Sequence, residues 1–146
     1  MDFQDIKRAL TQRINMYKIK NPSVQDSDFK YKRCCKHLIL LFIPDNVRTN
    51  QSRKDVVQLF AKFRAEKAYC VAILNVDDCH FTMSYEHESL VSIVYTAGEW
   101  IYPDAFDSDV EKIATTGIHY YCSLLPAYFM AITVKKSLCY NLMIQD

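Results

Sequence analysis

Apolar residues recur every three or four positions over residues 2–19, which predicts an amphipathic helix. The apolar positions are Phe3, Ile6, Leu10, Ile14 and Tyr17. Asn21-Pro22 ends the pattern, because proline disfavours helical geometry in the residue before it. We expect residues 1–28 to form this helix and a polar link, and residues 29–146 to form one domain. The pattern leaves open whether the helix packs on that domain, lies on a partner or is loosely held.

The next apolar segments predict strands. The continuous run over residues 37–44 is typical of a strand buried on both faces. Two more strands are predicted at 69–76 and 80–85, around a turn at Asp77-Asp78. Residues 89–103 predict one long strand or a bent hairpin.

Two helices are predicted between and after these strands. Ser52 precedes Asp55 at capping-box spacing, which predicts a helix over residues 52–68. Ser108 precedes Glu111 at the same spacing, which predicts a helix from residue 108 to about residue 121.

A closing hairpin is predicted over residues 127–144. The order of the elements predicts an α+β fold in a single domain, with a mixed, mostly antiparallel sheet and two or three helices, ending in a C-terminal β-hairpin.

Composition excludes several classes of protein. The only glycines in the sequence are Gly98 and Gly117, whereas phosphate-binding loops and dinucleotide fingerprints need several glycines close together. No apolar run reaches the roughly 18 residues that span a bilayer. The first ten residues do not resemble a signal peptide. We therefore expect no nucleotide cofactor and no membrane partner.

The cysteines predict neither a metal site nor a secreted protein. The six cysteines are irregularly spaced, so we expect reduced thiols and a location in the nucleus or cytoplasm. Cysteine and histidine occur together at residues 34–37 and 79–80, but this spacing does not match a structural zinc site. We predict no metal and no cofactor.

Charge is unevenly distributed along the chain. Residues 1–55 contain 12 Lys and Arg against 6 Asp and Glu, whereas residues 56–146 contain 6 against 11. An acidic partner, either RNA or protein, would complement the basic part, although a solvated charged stretch explains it equally well. The possible nucleic-acid contacts are Lys30, Tyr31, Lys32, Arg33 and Lys36.

The terminal residues predict a protein-binding strand. An unpaired strand edge presents free N–H and C=O groups, and a partner's strand can satisfy them. Successive side chains of a strand point to opposite faces, so every second residue shares a face. The predicted partner-binding residues are Leu138, Tyr140, Leu142 and Ile144.

The end of the chain, "MAITVKKSLCYNLMIQD", resembles the C-terminus of the non-catalytic small structural subunit of the eukaryotic tRNA-splicing endonuclease. Ala131-Ile132, Ser137 and Asp146 match positions of that pattern, and Tyr140 lies within one residue of its tyrosine pair. Upstream, the predicted helix and the strand "YCVAILNV" are similar to the helix–strand entry of that family. Lys136 replaces the acid that precedes the family's serine.

The resemblance implies a structural subunit that has no catalytic activity and takes part in tRNA splicing. Members of that family form dimers in which the C-terminal strands of two chains lie side by side. It therefore implies a homodimer or heterodimer paired through the C-terminal strand. The alternatives are an unrelated interaction factor, such as a pathogen protein that binds a host target, or a ribonuclease. The ribonuclease would use Tyr102, His119 and Lys136, which occur in the chain order of the catalytic subunits.

Overall fold

A computed structural model describes residues 2–87 and 93–133, with the side chains of the last helix described as far as Phe129. Its elements in chain order are α1 (Phe3–Lys20), a 3-10 turn (Asp26–Asp28), β1 (Phe29–Cys34), β2 (His37–Phe42), β3 (Lys62–Ala65), β4 (Ala68–Asn75), β5 (Phe81–Thr82), β6 (Ser84–His87), β7 (Ile93–Thr96), β8 (Trp100–Ile101), β9 (Ile118–Tyr121) and α2 (Leu124–Thr133). The predicted α+β class is confirmed: one domain with a curled antiparallel sheet and two helices.

Helix α1 confirms the first prediction. The Asp2 carboxylate accepts a hydrogen bond from the Asp5 N–H and caps the helix, and Asn21 follows its last residue. Ile6 and Leu10 are buried against the sheet, so the helix packs on the domain.

The large sheet has the strand order β3-β9-β1-β2-β4-β5, and β8 pairs with β4 beyond the end of β5. Strand β2 confirms the prediction at residues 37–44, and β4 confirms the one at 69–76. Strand β1 pairs with β2 along its whole length through a two-residue turn in which Cys35 has a φ of 50°. Strands β6 and β7 form a separate two-stranded sheet.

Both faces of the large sheet are buried, which explains the continuous apolar run of β2. On one face the helices cover a core containing Ile6, Leu10, Phe29, Leu38, Leu40, Ala72, Leu74 and Ala127. On the other face, Tyr95 of β7 joins a core containing Ile39, Leu41, Phe63, Ala65, Cys70, Ile73, Ile118 and Tyr120. Neighbouring side chains of a strand therefore belong to different cores.

The helix predicted over residues 52–68 is wrong. Residues 62–65 form β3, and strand β4 begins at Ala68. Phe63 and Ala65 are buried in the core, where they pair with Tyr120 and Ile118 of β9. Pairing with β9 therefore favours a strand, in which every second side chain points into the core. Tertiary pairing overrides a helical pattern whose other apolar residues remain exposed or half-buried.

The helix predicted from residue 108 is also wrong, because the neighbouring Asp107 and Asp109 side chains stabilise turns instead. The Asp107 carboxylate accepts a hydrogen bond from the Asp109 N–H, and the Asp109 carboxylate accepts one from the Glu111 N–H. The end of this segment, Ile118–Tyr121, is strand β9.

The closing hairpin is wrong at its beginning, because residues 127–133 belong to helix α2. Leu124, Ala127 and Tyr128 follow helical spacing and pack on the same core as α1. The rest of the predicted hairpin, residues 134–144, lies outside the described residues. The long strand or bent hairpin predicted over 89–103 is described from residue 93 onwards, where it contains two short strands, β7 and β8, in different sheets.

Candidate functional site

The predicted nucleic-acid residues lie on β1 and its turn, where the strand divides them between two faces. Lys30 and Lys32 are buried. The Lys30 ammonium donates to the Ser27 carbonyl at 2.7 Å, and the Lys32 ammonium donates to the His119 carbonyl at 3.2 Å. Both cations therefore hold backbone carbonyls, which makes them poor candidates for phosphate contacts. Lys36 in the turn is exposed.

Arg33 and Tyr31 are on the opposite face of β1, towards the helices. The Arg33 Nε donates to the carbonyl of Cys35, and burial lowers the pKa of this guanidinium to about 10. Its Nη1 is buried and has no hydrogen-bond partner within residues 2–87 and 93–133. A buried donor without an acceptor costs about 1–3 kcal/mol.

The residues of the ribonuclease alternative do not share a surface. Tyr102 is 63% exposed, whereas His119 is 2% exposed. The His119 Nε2 lies 3.2 Å from the Ile113 carbonyl, inside the fold. Lys136 lies outside the described residues. An accessible site built from Tyr102 and His119 is not formed.

The predicted partner-binding residues, Leu138 to Ile144, also lie outside the described residues. The preceding helix α2 is described, and its sequence contains no charged residue. Leu125 and Phe129 are one helical turn apart, so they lie on one face, and they are 37% and 48% exposed. This apolar outer face of α2 was missed because the segment was predicted to be a strand.

Four of the cysteines, Cys34, Cys70, Cys79 and Cys122, have free thiols, and Cys35 is disulfide-bonded. The expectation that all six are reduced is wrong at Cys35. Burial raises the pKa of the Cys70 thiol to about 12, which makes it unreactive. Across the described ranges, no group of three Cys, His, Asp or Glu side chains could hold a metal ion.

A cleft of about 260 Å³ lies between α1 and α2 and has not been anticipated from the sequence. Its walls are Phe3, Leu10, Ile14, Leu124 and Leu125. The exposed residues Lys7 and Thr11 of α1 and the half-buried Tyr31 of β1 also line it. The cleft thus combines apolar walls with a few polar groups, which is the usual composition of a small-molecule site.

A second polar centre surrounds Arg64, which is fully buried in β3. All five N–H donors of its guanidinium contact backbone carbonyls, at 2.8–3.1 Å. The carbonyls belong to Asp107, Asp109, Lys112 and Thr116. With its donors already used, this arginine organises the loop between β8 and β9 and leaves no N–H for a ligand.

His37 on β2 lies against the Tyr85 ring, with 4.2 Å between ring centroids. Burial lowers the pKa of His37, and the charges of Lys36 and Arg33 lower it further. Asp77 and Asp78 act in the opposite direction, with smaller effects.

This lowered pKa predicts loss of stability in acid. Because folded His37 binds a proton less readily than the unfolded chain does, its contribution is complete above the ordinary pKa of 6.5 and is lost as pH falls below it. We expect His37→Phe, which keeps a ring against Tyr85, to reduce the change in urea midpoint between about pH 7.5 and pH 5. The exposed His80, replaced by Gln, is the matched control. An unchanged midpoint difference in His37→Phe would contradict the prediction.

No helix among the described residues is long and apolar enough to cross a membrane.

One protein-family model matches residues 15–127, which are 113 of the 146 residues. Its description is a family of unknown function, DUF5758. No curated protein and no solved structure matches the chain.

Proposed function

The chain belongs to the DUF5758 family, whose function is unknown, and we propose that it is a non-catalytic subunit that assembles with a partner protein through its C-terminal part. The observation that carries the proposal is the apolar outer face of α2. Leu125 and Phe129 expose apolar surface on a helix without a single charged residue. A helix that is apolar on all sides is usually covered.

The residues after α2 in the sequence support the same interpretation. Four residues separate the end of α2 from the first of the predicted partner-binding residues, Leu138, Tyr140, Leu142 and Ile144. We propose that they extend the binding surface by pairing with a partner's strand.

The resemblance to the tRNA-splicing endonuclease subunit extends the proposal to an RNA-processing complex. It now rests on terminal residues such as Ser137, Tyr140 and Asp146, because the helix predicted over residues 52–68 is absent and Ala131-Ile132 lie in α2. Dimers of that family pair their C-terminal strands, and twofold dimers are the commonest protein assemblies. The partner that we commit to testing first is therefore a second copy of this chain.

The test is the mass of the purified chain by light scattering. We expect a dimer, twice the chain mass of 17.1 kDa. Phe129→Arg and Leu142→Arg should weaken self-association by tenfold or more, since each would place a charge in an apolar interface at a cost of about 1.4 kcal/mol or more. Val94→Arg is the control, because Val94 on β7 has a matched exposure of 51% and is outside the proposed surface.

Circular dichroism of each variant separates loss of assembly from loss of folding. Folded, monomeric Phe129→Arg and Leu142→Arg with a dimeric Val94→Arg would support the proposal. A native chain that is monomeric at about 100 μM, a concentration that would populate a dimer with micromolar Kd, would overturn pairing between copies. Unfolding of the Leu142→Arg chain would also count against it, because that position would then belong to the core of one chain.

A further inference from the structure

We infer that the cleft between α1 and α2 binds a small apolar carboxylate, such as a medium-chain fatty acid. The inference shares Leu125 with the proposed assembly surface, but its other cleft residues, Lys7 among them, lie outside that surface. Leu10 and Ile14 of α1, Leu124 and Leu125 of α2 and the Phe3 ring form an apolar surface around a space of about 260 Å³. This volume lies just below the range of drug-sized pockets, so the ligand is small.

The polar side chains in the cleft are not paired with other polar groups of the described residues. Lys7 and Thr11 lie one helical turn apart on the same face of α1, and the half-buried Tyr31 lies on β1. Within the described chain, none of these three side chains forms a hydrogen bond or an ion pair. In contrast, the neighbouring Asp5 and Arg8 pair with each other at 3.2 Å. Lys7 is therefore an exposed, unpaired cation at the edge of the apolar walls.

The charge of the cleft selects the class of ligand. A single ammonium balances one negative charge, as in a carboxylate, whereas phosphate dianions are usually held by arginines or several backbone N–H groups. The hydroxyl groups of Thr11 and Tyr31 can each donate one hydrogen bond to an anionic oxygen. Burial raises the pKa of the Tyr31 hydroxyl, with a smaller contribution from Asp26, so this group stays protonated at neutral pH and keeps its donor.

The experiment uses the full chain with decanoate and decanol, which share one apolar tail, at concentrations below micelle formation. Calorimetry should show saturable binding of one decanoate per chain. Lys7→Met should weaken decanoate binding by tenfold or more and leave decanol binding unchanged. Lys20→Met is the matched control, because Lys20 is an exposed lysine of the same helix outside the cleft.

A second variant separates the cleft from the charge. Thr11→Trp places a large ring in the cleft from an exposed position of α1, so the fold should be retained while binding of both probes is lost. Decanoate binding that survives both Thr11→Trp and Lys7→Met would overturn the inference, as would the absence of saturable binding. So would NMR contacts between residues 134–146 and Leu10 in the ligand-free chain, because the cleft would then be filled by the protein itself. Self-association is measured separately, so failure here leaves the assembly proposal standing.

Discussion

Replacing Arg64 with methionine is expected to lower the free energy of unfolding by about 3 kcal/mol or more, because carbonyls left without donors each cost about 1 kcal/mol or more. The guanidinium donates to four carbonyls of the loop between β8 and β9. Methionine fills much of the same space but donates no hydrogen bond. The loop would then lose the group that holds it against β3. Urea denaturation followed by circular dichroism measures the loss.

Two further variants test whether the stability depends on the planar, five-donor geometry of the guanidinium. Arg64→Lys keeps a positive charge, but an ammonium has only three donors and cannot reproduce the planar fork, so we expect a loss of about 2 kcal/mol. Arg48→Met is the control, because Arg48 is largely exposed and its pair with Glu66 is worth about 1 kcal/mol at most. An ordinary surface substitution changes the free energy of unfolding by about 1 kcal/mol or less. If Arg64→Met lowers it by no more than that, the proposed role of Arg64 is wrong.

Gly117→Ala is expected to destabilise the protein by about 2–4 kcal/mol, the combined cost of a strained backbone and a close contact. Gly117 has a φ of +141°, a conformation that side chains rarely adopt. An added Cβ would lie 3.0 Å from the Arg64 Cβ and 3.3 Å from the Ala65 carbonyl oxygen. Neither neighbour can move easily, since both belong to the buried strand β3.

Gly98→Ala isolates the backbone part of this cost. Gly98 has a φ of +90°, but the nearest atom to an added Cβ is the Tyr69 hydroxyl at 3.9 Å, an ordinary contact. We expect a loss of about 1–2 kcal/mol at Gly98, from the strained φ alone. The difference between the two variants in urea denaturation reports the crowding around Gly117. Equal losses would show that the contact with β3 contributes nothing.

The sequence allowed prediction of those elements whose local signals agree with their surroundings. Helix α1 has an apolar stripe, a capping Asp2 and a proline after its end, and all three point to the same structure. Strands β2 and β4 are continuous apolar runs, and both of their faces are buried. A continuous apolar run is the pattern expected of such a strand, so the local sequence agrees with its surroundings. The α+β class follows from these elements alone.

The failed predictions share a physical cause. The capping-box spacings at Ser52 and Ser108 are real sequence patterns, but short polar side chains stabilise turns as readily as helix starts. Pairing between β3 and β9 joins residues more than 50 positions apart in the chain, which no local pattern encodes. Similarly, the basic residues around β1 predict a charged surface. In the fold, however, Lys30 and Lys32 lie on a strand whose neighbours bury them.

For the candidate sites too, some features follow from the local sequence and others only from the tertiary structure. The sequence by itself determined the apolar stripe of α1 and the uncharged composition of the segment that forms α2, because side-chain type and spacing are local properties. Only the tertiary structure decided that Lys7 and Tyr31 border one cleft and that Arg64 holds four distant carbonyls. These groups come from separate elements, and packing of the helices on the sheet, driven by burial of apolar surface, brings them together.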